Sequence, residues 1–89
     1  MSRISVIIPA HDEESSIGLA IDALPKDKIH EIIVVDNNSR DNTAFVANEH
    51  GARIAKEPRK GYGSACLKGI EELDSPDIVV FLDGDYSDY

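Results

Sequence analysis

Ile78-Val79-Val80-Phe81-Leu82-Asp83-Gly84-Asp85 decides the fold. Five apolar residues run without alternation into two aspartates separated by a glycine. An unbroken apolar run of this length predicts a strand buried on both faces, the hallmark of a parallel sheet covered by helices. Gly84 lets the backbone turn where the strand stops, so the carboxylates of Asp83 and Asp85 can converge just beyond its carboxyl end. Two hard oxygen ligands there suit Mg²⁺ or Mn²⁺. An acidic turn after a strand is common, and the spacing of two aspartates does not by itself exceed it.

Upstream, the same pattern recurs. Ile4-Ser5-Val6-Ile7-Ile8 predicts a first strand ended by Pro9, which cannot donate to a ladder. A helix follows, with Ile17, Ala20, Ile21 and Leu24 at 3.6-residue spacing and Pro25 beyond its end. Glu31-Ile32-Ile33-Val34-Val35 predicts a second buried strand, running into Asp36-Asn37-Asn38-Ser39. Ser39 or Asp41 can cap the next helix, from about Asn42 to His50, which Gly51 ends in the left-handed conformation. Ala52 to Lys56 predicts a weaker strand near an edge. Pro58-Arg59-Lys60-Gly61-Tyr62-Gly63 then opens a helix with Cys66, Ile70 and Leu73 on one face. The order β-α-β-α-β-α-β predicts an α/β fold: a Rossmann-like parallel sheet, right-handed crossovers, helices on both faces.

Composition narrows the function classes. The chain has 89 residues, 42% hydrophobic and 29% charged, the balance of one small globular domain. A net charge of −8 argues against a nucleic-acid partner, whose binding surface is basic. The charge is uneven: residues 71–89 carry seven acids and no base, whereas residues 53–68 carry five of the nine bases. Cys66 is the single cysteine, which excludes an internal disulfide and fits a reducing, cytoplasmic setting. No apolar run approaches the roughly 18 residues of a membrane span. Neither a signal-peptide core, an internal repeat nor a linker is visible.

In an open parallel sheet, ligands sit outside the carboxyl ends of the strands where strand order reverses. Three polar clusters lie at such ends: His11 to Glu14, Asp36 to Ser39, and Asp83 to Asp85. Their convergence says more than any one alone. Separately, each has an ordinary explanation. Asp36 can cap a turn, Glu13 and Glu14 can favour a helix N-terminus, His11 fits a solvated loop, and Cys66 fits a small core position. Arg59 and Lys60 can be surface charges, but beside Gly61 and Gly63 at a helix start an anion site is at least as well supported. The sequence has no P-loop, and no GxGxxG follows the first strand.

Taken together, four segments resemble the N-terminal half of a family 2 glycosyltransferase, closest to the dolichyl-phosphate-mannose synthase-like branch. They are Val6 to Glu14, Ile33 to Thr43, Gly61 to Ala65, and Leu82 to Asp85, covering nearly the whole chain in the family's order. The resemblance implies a GT-A fold whose first half binds a nucleotide-sugar donor, UDP- or GDP-linked. It implies that Pro9 through Glu14, with Ala10 and His11 among them, line a nucleoside pocket, with Glu14 and Asp36 at base or ribose and Asn38 in the same cluster. Lys60, Gly61 and Gly63 would lie near the nucleotide. Asp83 and Gly84 would sit by ribose and metal, and Asp85 would be the main ligand of Mg²⁺ or Mn²⁺. Arg59 is a weaker candidate for the phosphates. His11 departs from the family, where many relatives carry Tyr or a Phe-like residue, so base stacking differs here.

Length is the larger departure. Members of the family continue well past this DxD motif, whereas this chain stops four residues after it. Residues 1–89 are therefore expected to be a nucleotide-sugar-binding half, without acceptor site or general base, and inactive by themselves. A polyprenyl-phosphate acceptor follows by analogy and would place a full enzyme at the cytoplasmic membrane surface. An exposed sheet edge would favour homo-oligomers. Two other readings stand beside transfer: a non-catalytic fragment whose motifs are unused, and a nucleotidyltransferase, disfavoured because no glycine-rich loop follows the first strand.

Overall fold

The computed structural model describes residues 3–83. Four strands, β1 (Ile4–Ala10), β2 (Glu31–Asp36), β3 (Arg53–Lys56) and β4 (Ile78–Phe81), form one sheet among the described residues. Its order is β3-β2-β1-β4, with every pairing parallel. Helices α1 (Ile17–Asp22), α2 (Thr43–Glu49) and α3 (Tyr62–Glu71) connect the strands, and a single 3₁₀ turn spans Lys26–Lys28. The predicted order of elements holds, as does the placement of β3 at an edge.

Alternation along the strands divides the core in two. Val6, Ile8, Ile32 and Val34 pack with Ile17 and Ile21 of α1 and Ala47 of α2. Ile7, Ile33 and Val35 face the other way, against Ala55 and Ala65. Both runs are apolar throughout because β1 and β2 are central strands with helices on each side. The chain steps outward from β1 to β3, then crosses back to place β4 beside β1. Strand order therefore reverses between β1 and β4.

Three expectations are corrected. Pro9 does not end β1: it lies within the strand, opposite Val35. The Ile7 carbonyl receives the Leu82 N–H and the Ala10 carbonyl receives the Asn37 N–H, so odd positions of β1 point towards β4. The β4 ladder stops at Phe81, opposite Ile7. The N–H that proline lacks thus falls where no ladder partner remains. β4 itself is not buried on both faces. Ile78, Val79 and Phe81 are 45%, 37% and 41% exposed, because β4 is an edge strand and α3 lies over β1, β2 and β3.

The third correction concerns α3. Its sheet-facing positions are Ala65 and Gly69, while Ile70 is exposed and Cys66 half-buried. Leu73 does pack on the core, just past the helix end. Gly69 sets this rotation: a Cβ there would stand 2.5 Å from Ile7 Cγ2. Ile7 is fully buried and β-branched, so it cannot swing aside. Gly69→Ala gains roughly 1 kcal/mol of helix propensity but overpacks the core at a cost of about 1–3 kcal/mol. Net destabilisation is expected in urea titrations, and the Gly69→Ala/Ile7→Ala double variant, which removes Cγ2, should lose less than the sum of the two single changes.

Candidate active site at the carboxyl ends of the strands

Two loops leave the carboxyl ends of β1 and β2 side by side and are stitched together. The Asp12 N–H donates to Ser39 Oγ (3.0 Å), and the Arg40 N–H donates to Asp12 Oδ1 (2.6 Å). The Glu13 N–H donates to Thr43 Oγ1 (2.8 Å), and the Glu14 N–H to Asp41 Oδ2 (3.2 Å). In return the Asn42 N–H donates to Glu14 Oε1 (3.2 Å). Asp41 also accepts from the Thr43 N–H and hydroxyl, which holds its carboxyl below the usual range. These bonds satisfy backbone groups at the start of α2, where Asn42 itself makes no side-chain cap.

The stitching leaves a cleft of about 180 Å³ between the ends of β1 and β4. Pro9, Ala10, His11, Glu13 and Asn37, from the ends of β1 and β2, line it together with Tyr62 and Ala65 of α3 and with Asp83. A neighbouring hollow of about 530 Å³ shares His11 and adds Asn38, Ser39, Arg40 and Lys60. The first volume alone falls below the roughly 300–1,000 Å³ of small-molecule sites, so a ligand of nucleotide size needs both.

Six of the residues expected from sequence meet here. Pro9, Ala10, His11 and Asp83 line the cleft, while Asn38 and Lys60 line the adjoining hollow. His11 Nδ1 lies 2.7 Å from the Asn37 carbonyl, which can only accept, so Nδ1 carries the proton and Nε2 turns towards Asp12. Glu14 lies outside both linings and braces the start of α2. Asp36 is nearly buried, and its Oδ1 accepts the Ser39 N–H at 3.0 Å, the local turn role that its residue type favours. Gly61 adopts φ 115° before α3, a conformation suited to glycine. A Cβ at Gly61 or Gly63 would meet nothing within 4 Å, so both leave backbone open to approach. Gly84 and Asp85 lie outside the described residues.

The structure adds Tyr62 and Ala65 to the cleft, alongside Glu13 and Asn37 from the two polar clusters read from sequence. Burial pushes the Tyr62 phenol above its ordinary value, with smaller contributions from Cys66 and Asp83. Arg59 is otherwise engaged. Its Nε and Nη2 bond the Glu57 carboxylate at 3.1 and 3.0 Å, and its backbone N–H does so at 2.8 Å. Lys60 is then the cation of this loop that no carboxylate pairs among the described residues.

The same three bonds hold the Glu57 carboxyl at about 2, below its ordinary 4.5. A depressed pKa contributes stability above the unfolded-state value, and that contribution is lost as pH falls through the folded one. Glu57→Gln is therefore expected to be less stable than wild type at neutral pH. The gap in urea midpoint should close between about pH 4.5 and about pH 2; a gap independent of pH would contradict the pairing.

Among the described residues no group of three or more His, Cys, Asp or Glu side chains is placed to hold a metal. Asp83 brings a carboxylate, a hard oxygen donor, to the lining of the cleft. No helix among the described residues is long and apolar enough to cross a membrane.

Comparison with known proteins places this arrangement. The family model for Glycosyl transferase family 2 matches residues 5–88. An uncharacterized glycosyltransferase of Mycobacterium tuberculosis strain H37Rv is 43% identical over 84 residues, 94% of this chain and 37% of that protein. The glucosyl-3-phosphoglycerate synthase of Mycolicibacterium paratuberculosis is 38% identical over 93 residues, 92% of this chain and 28% of that one. The crystal structure of the M. tuberculosis glucosyl-3-phosphoglycerate synthase with UDP superposes with a TM-score of 0.87 at 34% identity, covering 97% of this chain and 35% of that one. The same enzyme with Mn²⁺, UDP and glucosyl-3-phosphoglycerate gives 0.84 at 34% identity over 93% and 33%. The chain thus spans about a third of the length of each of these relatives. None of these relatives bears out the dolichyl-phosphate-mannose branch. The match over nearly the whole chain, on a Rossmann-like sheet shared with GT-A enzymes, shows that the chain belongs to glycosyl transferase family 2.

Proposed function

We propose that residues 1–89 are the donor-binding half of a metal-dependent glycosyltransferase, and that the cleft holds a nucleoside diphosphate, UDP in preference to GDP. The observation that carries this is the placement of Asp83 in the cleft at the β1/β4 switch point and of Lys60 in the hollow beside it, with His11 lining both. The UDP complexes of the related synthase support the choice of base. Pro9, Ala10, His11 and Asn37 would bound the nucleoside, with Asn38 and Lys60 beside it and the open backbone of Gly61 and Gly63 nearby. Asp36 and Glu14 would act on it through the loops they brace.

Asp83 and Asp85 would hold the Mg²⁺ or Mn²⁺ found in the related complexes. Bound there, the cation supplies Lewis acidity and charge neutralisation for the departing diphosphate. The chain's own residues make that need concrete. Glu13 and Asp83 both line the cleft, and the whole chain carries −8, so a bare diphosphate meets like charge. Lys60, in the adjoining hollow, offsets part of this.

Self-association is the second part of the proposal. Among the described residues β4 has a strand neighbour on one side only, and Val79 and Phe81 are exposed, which supports pairing with another copy. A strictly monomeric species in sedimentation contradicts it.

Calorimetric titration of the chain with UDP and with GDP, each with and without Mn²⁺, tests the donor reading. Mn²⁺-dependent binding of UDP is the expected result. A folded chain that binds neither nucleotide under any condition would overturn it.

A further inference from the structure

We infer that Asn37 is a positioning residue, whose carboxamide pins the 57–61 segment against the cleft and thereby sets where Lys60 stands. The inference rests on the donor-binding reading in that position matters to affinity only if a nucleotide binds there.

Asn37 uses every polar atom it has, on two different loops. Its Nδ2 donates to the Glu57 carbonyl (2.8 Å) and to the Arg59 carbonyl (2.7 Å), while its Oδ1 accepts the Gly61 N–H (3.1 Å). Its backbone N–H donates to the Ala10 carbonyl (2.8 Å), and its carbonyl accepts from His11 Nδ1 (2.7 Å). One planar amide therefore grips the segment at residues 57, 59 and 61, leaving Lys60 between two held positions. Asn37 itself is fixed to the end of β1.

The segment has few other attachments. Arg59, Lys60 and Gly61 are exposed and lie outside any helix or strand. The Glu57 N–H reaches the Asp36 carbonyl (3.0 Å) and the Asn38 side chain reaches the Pro58 carbonyl (2.5 Å), both on the β3 side of Lys60. Beyond Lys60, the Gly61 N–H is held by Asn37 alone among the described residues.

The residue type is specific. Aspartate has the same shape and can still accept from Gly61, but it loses both donors and turns a charged oxygen towards the Glu57 and Arg59 carbonyls. Alanine removes all three side-chain bonds.

The test combines amide exchange with nucleotide titration in wild type, Asn37→Ala, Asn37→Asp, Lys60→Ala and the Asn37→Asp/Lys60→Ala double variant. Urea titration sets conditions in which each is folded. Exchange of the Gly61 amide should accelerate at least roughly tenfold in Asn37→Ala, by loss of its acceptor. UDP·Mn²⁺ affinity should fall about tenfold in Asn37→Asp, yet less than about twofold when the same change is made on Lys60→Ala, since the two act as one unit. Additive losses would overturn the inference, because Asn37 would then act without Lys60. Unchanged Gly61 exchange in Asn37→Ala, or unchanged affinity in Asn37→Asp, would overturn it as well. If wild type binds no nucleotide, the donor reading fails by itself, and the Gly61 exchange rate alone decides whether Asn37 holds the segment.

Discussion

Asp85→Ala should abolish the Mn²⁺-dependent binding of UDP while leaving the fold unchanged. Asp83 and Asp85 are the two carboxylates expected to meet a divalent cation, and the first lines the mouth of the cleft. Removing one of two charged ligands from a hard cation that takes only oxygen leaves too few strong donors to hold it. The loss is not confined to one contact. Without the cation, the diphosphate faces Glu13 and the remaining aspartate in a chain of net charge −8, so metal and nucleotide should fail together. A fall in affinity of at least about 100-fold is expected, or roughly 2.8 kcal/mol. Asp85→Asn keeps the shape and should behave almost as alanine does. Residual binding without Mn²⁺ should be the same in wild type and variant. Calorimetry reads each quantity, and unaltered metal dependence in Asp85→Ala would remove these aspartates from the account.

The second large effect concerns stability. Ile33→Ala is expected to cost about 2–5 kcal/mol, against a total of roughly 4–13 kcal/mol for a domain of this size. Ile33 is fully buried in β2, between Ile7 of β1 and Arg53 of β3 in the ladder. Its side chain packs with Ile7, Val35, Ala55 and Ala65. That layer closes poorly over a cavity: the covering helix contributes small residues, and Gly69 already stands against Ile7. The upper half of the range is therefore expected in urea denaturation. Leu67→Ala, at a position 58% exposed on the same helix, should change stability by less than about 0.5 kcal/mol.

The order of elements and the sidedness of the site were legible because they depend on short-range pattern. Val6 to Ile8 and Ile32 to Val35 are apolar on both faces, and helices cover both faces. Strict alternation of strand and helix makes the sheet parallel, which brings His11, Asn38 and Asp83 to one end whatever their distance in sequence. The 78–82 run has the same pattern as β1, yet β4 is exposed. Pattern records the hydrophobicity of a strand, whereas burial depends on what lies beside it, and α3 sits over the other three strands. Pro9 was misread for a related reason, since only the register shows that its missing donor faces no partner.

The details of the cleft were hidden for a different reason. Asn37 and Asn38 are equivalent as turn formers, and nothing local says that one carboxamide would grip three positions some twenty residues away. Tyr62 and Ala65 reach the cleft only because Gly69 fixes the rotation of α3. Arg59, read as a weak phosphate candidate, is taken up by Glu57 two residues before it, a pairing set by the turn at Pro58.

Amide chemical-shift mapping decides whether the nucleotide sits at the carboxyl ends of β1 and β4. On addition of UDP with Mg²⁺, the largest changes are predicted at His11, Asn37, Gly61, Tyr62 and Asp83. Ser5, Glu31, Arg53 and Asp74, whose hydrogen bonds link the opposite ends of the strands, should stay where they are. Changes centred on that opposite cluster, or spread evenly over the sheet, would contradict the account.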